Sequence, residues 1–236
     1  MEITRYECPK CKDTGFILCE NENGLRYAAP CTCKEIKEAR ARLERSGLAK
    51  EFKAKTFDNF RTCNKPILEE AKNMVMHYAD VFRYIRNTTA NSLLLCGQAG
   101  AGKTHLGTAC SIKLIDQGTP VIYMGYRDGI TALKGKIIDA AAYSADMRRY
   151  KNAQVLFIDD FLKGRTTESD VNIVYEIVNY RYNNNLPVII STEKKPGELI
   201  EFDEAIASRL LEMCYSHIII FSGEELNYRL YKGGVA

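Results

Sequence analysis

Residues 92–107 read SLLLCGQAGAGKTHLG, and this stretch decides the fold. Its apolar start has the length of a short buried strand, and the segment from Gly97 to Thr104 fits the pattern G-x-x-x-x-G-K-[S/T]. Glycines let successive backbone N–H groups point inward at phosphate oxygens, and the helix that follows adds the positive end of its dipole. A strand, a glycine-rich loop and a helix in this order predict a P-loop for a nucleotide phosphate chain.

Individual residues of this loop have distinct predicted roles. We expect Lys103 to reach the β- and γ-phosphates and Thr104 to offer its hydroxyl to Mg²⁺. The predicted nucleotide contacts are Gly97, Gln98, Ala99, Gly100, Ala101, Gly102, Lys103, Thr104 and His105.

The stretch VLFIDD (155–160) ends an apolar run with two acids. Carboxylates at the end of a buried strand are costly to desolvate, and a magnesium ion would remove that cost. Asp159 is predicted to hold Mg²⁺ directly or through water, and Asp160 to orient or activate the water that attacks the γ-phosphate. The alternative is a pair of exposed acids that cap a turn. An acid pair suits hydrolysis better than transfer to an acceptor, as in a kinase.

A third element of the site is predicted in PVIISTE (187–193). If its strand lies between the P-loop strand and the acid-pair strand, the strand end faces the γ-phosphate. Thr192 or Ser191 would then bind the attacking water. The alternative is a hydroxyl that only satisfies the backbone at the strand end.

Arg209 lies far along the chain, in the helical stretch DEAIASRLLEM. An arginine presented to a neighbouring subunit can stabilise transition-state charge in trans. The alternative is an intramolecular salt bridge with Glu204 or Glu212.

Short, continuously apolar runs alternate with helical segments after residue 91. Such runs are typical of parallel strands that are covered on both faces. The predicted strands are 92–96, 121–125, 155–159, 187–192 and 217–221, and the predicted helices are 104–117, 129–150, 169–184 and 203–214. The alternation predicts a doubly wound α/β domain with a five-stranded parallel sheet.

The first 33 residues contain two close cysteine pairs, C-P-K-C and C-T-C, which are Cys8, Cys11, Cys31 and Cys33. The sequence between them predicts a hairpin with a strand from Phe16 to Cys19, which would bring the pairs together around zinc. Cys19 is an alternative ligand, and four free thiols are the alternative without metal.

A charged helical stretch, KEIKEARARLERSGLAKEF from Lys34, follows the cysteines. It is either a solvated helix laced by i,i+4 pairs or a connecting helix that meets a partner. We therefore predict two units, a zinc-binding module with a linker helix at 1–55 and a nucleotide-binding domain at 56–236.

Composition restricts the function classes. The 236 residues are 46% hydrophobic, and a formal net charge of +3 does not by itself indicate a polyanionic partner. No apolar run approaches the about 20 residues of a membrane span, and the start MEITRYECPK lacks the apolar stretch of a secretory signal. We expect a cytoplasmic protein without membrane contact, where nine cysteines favour metal binding over disulfides.

One local cluster between the second and third predicted strands suits single-stranded nucleic acid. Basic groups follow a phosphate backbone, and aromatic rings stack on bases. The cluster contains Arg127, Lys134, Lys136, Arg148, Arg149 and Lys151, with Tyr126, Tyr143 and Tyr150 interleaved. A solvated surface without a ligand is the alternative.

The chain resembles an AAA+ ATPase of the DnaC/DnaI helicase-loader type in three stretches. They are GQAGAGKTHLG (97–107), VLFIDDF (155–161) and SRLLEM (208–213). The approach SGLAKEFKAKTFDNF resembles the segment that leads into the ATPase core of this family. The stretch LKGRTTESDVNIVYEIVNYRYNNNLPVIISTE (162–193) and the ending GEELNYRLYK are similar to loaders of phages and mobile elements. By this resemblance Gly97, Gly102, Lys103 and Thr104 form Walker A, and the two aspartates form Walker B. Thr192 falls at sensor 1 and Arg209 at the arginine finger, whereas Glu193 departs from the asparagine common at the sensor.

The resemblance implies ATP as the nucleotide, slow and partner-dependent hydrolysis, and self-association through the ATPase domain. It implies no C-terminal helical lid. Loaders of this type bind a hexameric replicative helicase through their N-terminal region and deliver it onto single-stranded DNA. The alternatives are a transposition helper ATPase of the IstB type and a nucleotide-gated adaptor with little hydrolysis.

Overall fold

The computed structural model describes residues 6–20, 24–34, 37, 41 and 54–230. The linker helix predicted from Lys34 falls almost wholly outside these described residues. The elements are β1 (Phe16–Glu20), β2 (Arg26–Pro30), α1 (Pro66–Ile85), β3 (Leu93–Gly97), α2 (Lys103–Asp116), β4 (Val121–Gly125), α3 (Tyr126–Gly135), α4 (Ala140–Lys151), β5 (Val155–Phe161), α5 (Glu168–Asn183), β6 (Val188–Thr192), α6 (Pro196–Phe202), α7 (Glu204–Met213) and β7 (Ile218–Phe221).

The predicted hairpin and parallel sheet are both confirmed. Strands β1 and β2 pair antiparallel, and the larger sheet has the order β4-β5-β6-β3-β7 with parallel pairing throughout. Strand β6 therefore lies between the P-loop strand β3 and the acid-pair strand β5, as the third predicted element of the site requires. The carboxyl ends of these three strands meet at one edge of the sheet.

The sheet is covered on both faces, and its central strands begin with continuous apolar runs. Along β3, Leu93 and Leu95 pack into the core beneath α1 and α2, whereas Leu94 and Cys96 pack into the core beneath α5 and α7. All five residues of β3 are buried. Alternate side chains of a strand point to opposite faces, so this continuous apolar run supports two cores.

The helices differ from the prediction in two respects. The single helix predicted at 129–150 is wrong: the chain forms α3 and α4, separated by a short turn. Asp139 caps α4, because its carboxylate accepts a hydrogen bond from the backbone N–H of Ala142 (3.0 Å). Helices α1 and α6 were not predicted. Among the described helices, none combines the length and apolar character that a membrane crossing needs.

Candidate nucleotide site and cysteine cluster

The glycine-rich loop has a backbone that only glycine accommodates at two of its positions. Gly97 has φ 107°, and a Cβ there would lie 2.2 Å from the carbonyl oxygen of Phe221. Gly102 has φ 91°, and a Cβ there would lie 2.6 Å from the ring of Phe60. The backbone N–H of Gln98 also donates to the carbonyl of Phe221 (2.8 Å). The loop is therefore shaped by contacts with β7 and with the segment before α1.

Lys103 begins α2, and its side chain is buried beneath the loop. Its ammonium donates to the carbonyl oxygens of Gly97 (2.8 Å) and Gln98 (2.7 Å). Burial lowers the pKa of Lys103, although the charges of Glu193 and Asp160 oppose the shift. A buried ammonium held only by carbonyl dipoles is suited to exchange them for phosphate oxygens.

Asp159 is a buried residue near the end of β5, where it accepts hydrogen bonds from three hydroxyl groups. Thr104 Oγ1 donates to its Oδ1 (2.9 Å), Tyr123 OH donates to its Oδ2 (3.3 Å), and Ser191 Oγ also donates to Oδ1. Burial raises the pKa of Asp159 in spite of these donors. The P-loop and the acid pair thus converge, as predicted. The contact of Tyr123 was not predicted, and its one sequence signal is a hydroxyl-bearing residue within an apolar strand.

The hydroxyl of Thr104 and the carboxylate of Asp159 are hard oxygen donors, which fits Mg²⁺. Their contact also explains how the structure tolerates a carboxylate that is only 4% exposed. Thr104 and Asp159 would hold Mg²⁺, which would supply positive charge beside the phosphates. The donor set is therefore compatible with the predicted magnesium site.

Asp160 sits at a bulge where the β5–β6 register shifts between Ile158 and Phe161. Its φ of 54° is in the left-handed region, and this backbone conformation accompanies the bulge. The backbone N–H of Asp160 donates to Ser191 Oγ (3.0 Å), and its carboxylate accepts from Lys163 (3.1 Å). The two acids therefore have different surroundings: Asp159 is buried, and Asp160 faces solvent.

The hydroxyl of Thr192 is engaged with the backbone. Its Oγ1 donates to the carbonyl of Phe161 (2.8 Å) and accepts from the N–H of Lys194 (3.1 Å). This is the alternative arrangement, a strand-end hydroxyl that satisfies the backbone. The other predicted candidate, Ser191, bonds to both aspartates instead.

Arg209 lies on α7 against one face of α5. Its Nε donates to Asn179 Oδ1 (3.1 Å), and its Nη1 donates to the carbonyl of Ala205 (2.6 Å). The guanidinium also lies over the rings of Tyr175 (5.4 Å) and Tyr182 (5.6 Å). Within the described residues, the alternative salt bridge with Glu204 or Glu212 is not formed.

A cavity of about 180 Å³ lies beside the P-loop. Its lining residues include Phe60, His105, Leu226 and Tyr228. His105 Nε2 contacts the carbonyl of Thr56 (2.8 Å), which fixes the segment before α1 against α2. The cavity also borders Gly100, Ala101 and Gly102 of the glycine-rich loop. Leu226 and Tyr228, which follow β7, were not among the predicted nucleotide contacts.

The three lysines of the basic cluster pair with acids. Lys134 pairs with Asp170 (2.8 Å), and Lys136 pairs with Asp146 (2.5 Å). Lys151 pairs with Glu176 (2.6 Å), and among the tyrosines Tyr126 is buried. Arg148 and Arg149 on α4 remain exposed. The cluster therefore offers less free positive charge than its sequence indicates.

The four predicted cysteines come together at the base of the hairpin. Sγ of Cys8 lies 3.8 Å from Sγ of Cys31, Sγ of Cys11 lies 3.4 Å from Sγ of Cys33, and all four sulfurs lie within 4.8 Å of one another. Tetrahedral zinc with bonds of about 2.3 Å would place its sulfurs about 3.8 Å apart. The cluster therefore fits zinc. Cys19 pairs with Tyr27 across the hairpin and is outside the cluster.

The residues around the cluster hold it in place. The N–H of Cys31 donates to the carbonyl of Gly15 (2.9 Å), which joins the second cysteine pair to the first. Asp13 accepts from the N–H groups of Glu7 and Cys8 (both 3.0 Å) and from Lys37 (2.9 Å). The carboxylate of Asp13 is thus a fixed support for the first pair.

Comparisons with known proteins agree with this arrangement. The family described as the bacterial DnaA ATPase domain matches residues 52–215. XkdC, a protein of the phage-like element PBSX of Bacillus subtilis (strain 168), is 36% identical over 97% of this chain and 88% of its own length. The ATP-binding protein of insertion sequence IS5376 from Geobacillus stearothermophilus is 24% identical over 75% of this chain and 68% of its own length.

Solved structures share the fold at low sequence identity. The crystal structure of the DnaC helicase loader matches with a TM-score of 0.60 and 21% identity, covering 74% of this chain and 100% of that chain. The DnaI crystal structure gives 0.60 and 18%, covering 74% and 94%. Replication initiator DnaA bound to AMPPCP and single-stranded DNA gives 0.56 and 21%, covering 75% and 53%. The chain therefore belongs to the bacterial DnaA ATPase family and has the AAA+ fold of the DnaC and DnaI helicase loaders.

Proposed function

We propose that this chain is an ATP-dependent loader that delivers a hexameric replicative helicase onto single-stranded DNA. The contact between Thr104 and Asp159 (2.9 Å) carries the proposal, because it joins the P-loop to the acid pair in one site for a metal-bound triphosphate. The shared fold with DnaC and DnaI and the relationship to a phage-element protein support the replication role over other uses of the same site.

In the proposed reaction, Lys103 exchanges the carbonyls of Gly97 and Gln98 for phosphate oxygens. Mg²⁺ held by Thr104 and Asp159 would offset the phosphate charge. Asp160 accepts a proton from the water that attacks the γ-phosphorus, while the bond between that phosphorus and the β–γ bridging oxygen breaks and ADP leaves. Asp160 is suited to this because its carboxylate is accessible.

We assign the helicase contact to the zinc-bearing unit at 1–55 and the ATPase to the unit at 56–236. Phe57 and Phe60 support the boundary, since both are buried in the same core as Leu106 of the P-loop helix. The cysteine cluster supports a separate module with its own source of stability.

Self-association would place Arg209 near the nucleotide of a neighbouring copy. Tyr175, Tyr182 and Asn179 hold the guanidinium in one orientation, so that binding a phosphate would cost little further side-chain entropy. For single-stranded DNA, the exposed Arg148 and Arg149 are the preferred contacts, since the nearby lysines pair with acids. Hydrolysis would switch both contacts, and the protein would act in the cytoplasm.

A transposition helper is the second candidate, favoured by the relationship to the IS5376 protein. An adaptor with little hydrolysis is the third. Co-purification distinguishes them: purified full-length chain is incubated with the resident replicative helicase or with a transposase, with and without ATP. We expect ATP-dependent capture of the helicase. Capture of transposase alone would favour the second candidate, and background hydrolysis with helicase and single-stranded DNA present would favour the third.

Lys103→Ala tests whether the P-loop drives the capture. Loss of the main counter-charge for the phosphates is expected to abolish nucleotide binding and therefore ATP-dependent capture. Lys113→Ala is the matched control, because Lys113 lies on the same helix and pairs with Asp80 (2.7 Å). Asp160→Asn should keep nucleotide binding and slow hydrolysis by about 100-fold or more. Equal loss of binding and hydrolysis in Asp160→Asn would contradict its role.

A further inference from the structure

Both hydroxyl groups at the end of β6, those of Ser191 and Thr192, already donate their protons within the protein. A hydroxyl group has a single proton to donate. Ser191 donates its proton to Asp159, and Thr192 donates its proton to the carbonyl of Phe161. Both oxygens also accept a backbone N–H, from Asp160 and Lys194 respectively. A γ-phosphate beside this strand end therefore needs a different donor.

Lys163 supplies an ammonium at this place. Its Nζ lies 3.1 Å from Asp160 Oδ2 and 3.5 Å from Glu193 Oε1, so that it bridges the second acid of the pair and the residue that follows β6. Glu193 can accept hydrogen bonds but cannot donate them when ionised. An ammonium carries three donors, and these two ion pairs use two of them.

The backbone after β5 places Lys163 there. Asp160, Leu162 and Gly164 have φ values of 54°, 57° and 84°, which make a tight left-handed turn. The N–H of Lys163 donates to the carbonyl of Asp160 (3.0 Å), and this bond closes the turn over the carboxylate. The turn therefore places Lys163 beside Asp160, with the lysine side chain 41% exposed.

Hydrogen bonds connect this group to the P-loop. The N–H of Asp160 donates to Ser191 Oγ (3.0 Å), and Ser191 donates to the carboxylate of Asp159, which also accepts from Thr104 of the P-loop (2.9 Å). Although burial alone favours its neutral form, the hydrogen bond to Asp160 raises the pKa of Lys163, which therefore remains charged. Two carboxylates opposite a triphosphate would repel it, and a cation between them offsets that repulsion.

We infer that Lys163 is a ligand of the γ-phosphate, positioned by Asp160 and Glu193, and that it makes the site prefer ATP to ADP. The inference rests on the proposed function, because it requires ATP in the P-loop. Lys163 donates to an oxygen that ADP lacks, so its contribution disappears when the γ-phosphate leaves. The pair Lys163–Glu193 takes the place of a neutral sensor side chain.

Lys163→Met tests the inference on the full-length protein. The dissociation constants of ADP and of a non-hydrolysable ATP analogue are measured with Mg²⁺. We expect the affinity for the ATP analogue to fall about tenfold and the affinity for ADP to stay within about twofold. Lys163→Arg should keep the preference for the ATP analogue over ADP, because arginine also carries a positive charge. Lys151→Met is the matched control, since it also breaks a lysine ion pair, with Glu176 (2.6 Å).

An equal change for both nucleotides, or none, would overturn the inference. So would faster hydrolysis by Lys163→Met with an unchanged preference, because Lys163 would then restrain Asp160 without binding phosphate. Failure of the proposed function has a different signature. A wild-type protein that binds neither nucleotide contradicts the ATPase site itself, whereas a normal nucleotide preference without helicase capture contradicts only the loader role.

Discussion

Different interactions stabilise the cysteine module (residues 6–34) and the ATPase core (residues 54–230). In the core, every residue of β3 is buried, and apolar side chains fill both faces of the sheet. In the module, the large apolar side chains Leu18, Leu25 and Tyr27 are 82%, 66% and 49% exposed. The residues that are buried among those described in the module are three of the clustered cysteines.

We infer from this difference that the module and the core depend on different sources of stability. A segment of this size cannot bury enough apolar surface to offset the loss of conformational entropy. Metal coordination supplies the missing free energy in small domains. The module should therefore depend on zinc and be indifferent to changes in the core, and the core should behave in the opposite way.

The largest effect is expected from loss of the metal. Cys31→Ser removes the most deeply buried ligand of the cluster, 1% exposed, and should cost the module on the order of 10 kcal/mol of coordination free energy. Elemental analysis should fall from one zinc per chain to none, and limited proteolysis should cleave the module. Nucleotide affinity of the core should not change.

Cys19→Ser is the matched control, because Cys19 lies outside the cluster. It should retain one zinc and resist proteolysis like the wild-type protein. If Cys19→Ser also lost zinc, the ligand set would be wrong. If Cys31→Ser lost zinc and kept a protected module, burial would be sufficient there and the comparison with the core would fail.

The sequence predicted the strands and the P-loop because their signals are local. An apolar run of five residues, or a loop of fixed spacing, is complete within its own stretch. The strand order placed β6 beside both neighbours as expected, and this brought Ser191 to Asp159. The contacts of Tyr123 and Lys163 were not predicted, because they depend on strand register and on a turn with three positive φ angles.

Helix boundaries and ion pairs also depend on more than the composition of a single stretch. The segment 129–150 is rich in helix-forming residues, but α3 ends at Gly135 and the carboxylate of Asp139 caps the start of α4. The pairing of the basic residues also could not be read from their cluster. Asp146 lies in the same segment as Lys136, whereas Asp170 and Glu176 come from α5, which packs against this region only in the folded protein.

A smaller effect, confined to the core, is expected from Arg181→Leu. Arg181 is fully buried and donates to the carbonyls of Tyr150 (2.8 Å), Lys151 (3.0 Å), Ala153 (2.9 Å) and Pro187 (2.6 Å). Burial lowers its pKa to about 9, so it is charged at neutral pH. Leaving these carbonyls without a donor should cost about 3 kcal/mol in urea unfolding.

The zinc content of Arg181→Leu should remain one per chain. Lysine cannot span these carbonyls as guanidinium does, so Arg181→Lys should also be destabilised, by a smaller amount. Tyr180→Phe is the surface control on the same helix, since its hydroxyl makes one exposed hydrogen bond to Asn152 (2.8 Å). Zinc loss in Arg181→Leu would show that the two regions are coupled and would contradict their independence.

The smallest expected effect concerns a residue that the core keeps at a cost. Because the pKa of Asp159 is raised in the folded protein, the folded state holds that proton more tightly than the unfolded chain. The stability from this proton is present below the pKa of the unfolded chain and is lost as pH rises through the folded pKa. At pH 7 the ionised carboxylate is therefore destabilising in the nucleotide-free protein.

Asp159→Asn should accordingly stabilise the nucleotide-free core by up to about 1 kcal/mol at pH 7, with the gain fading toward pH 4, while Mg²⁺-dependent nucleotide binding is lost. Asp170→Asn is the control of opposite sign. Although burial opposes it, the ion pair with Lys134 lowers the pKa of Asp170, so its stabilising effect is present at neutral pH and lost as pH falls. Thermal unfolding of both variants across pH measures the two trends. Destabilisation by Asp159→Asn at pH 7 would mean that its three hydroxyl donors outweigh its burial, and that this acid serves the fold as well as the nucleotide.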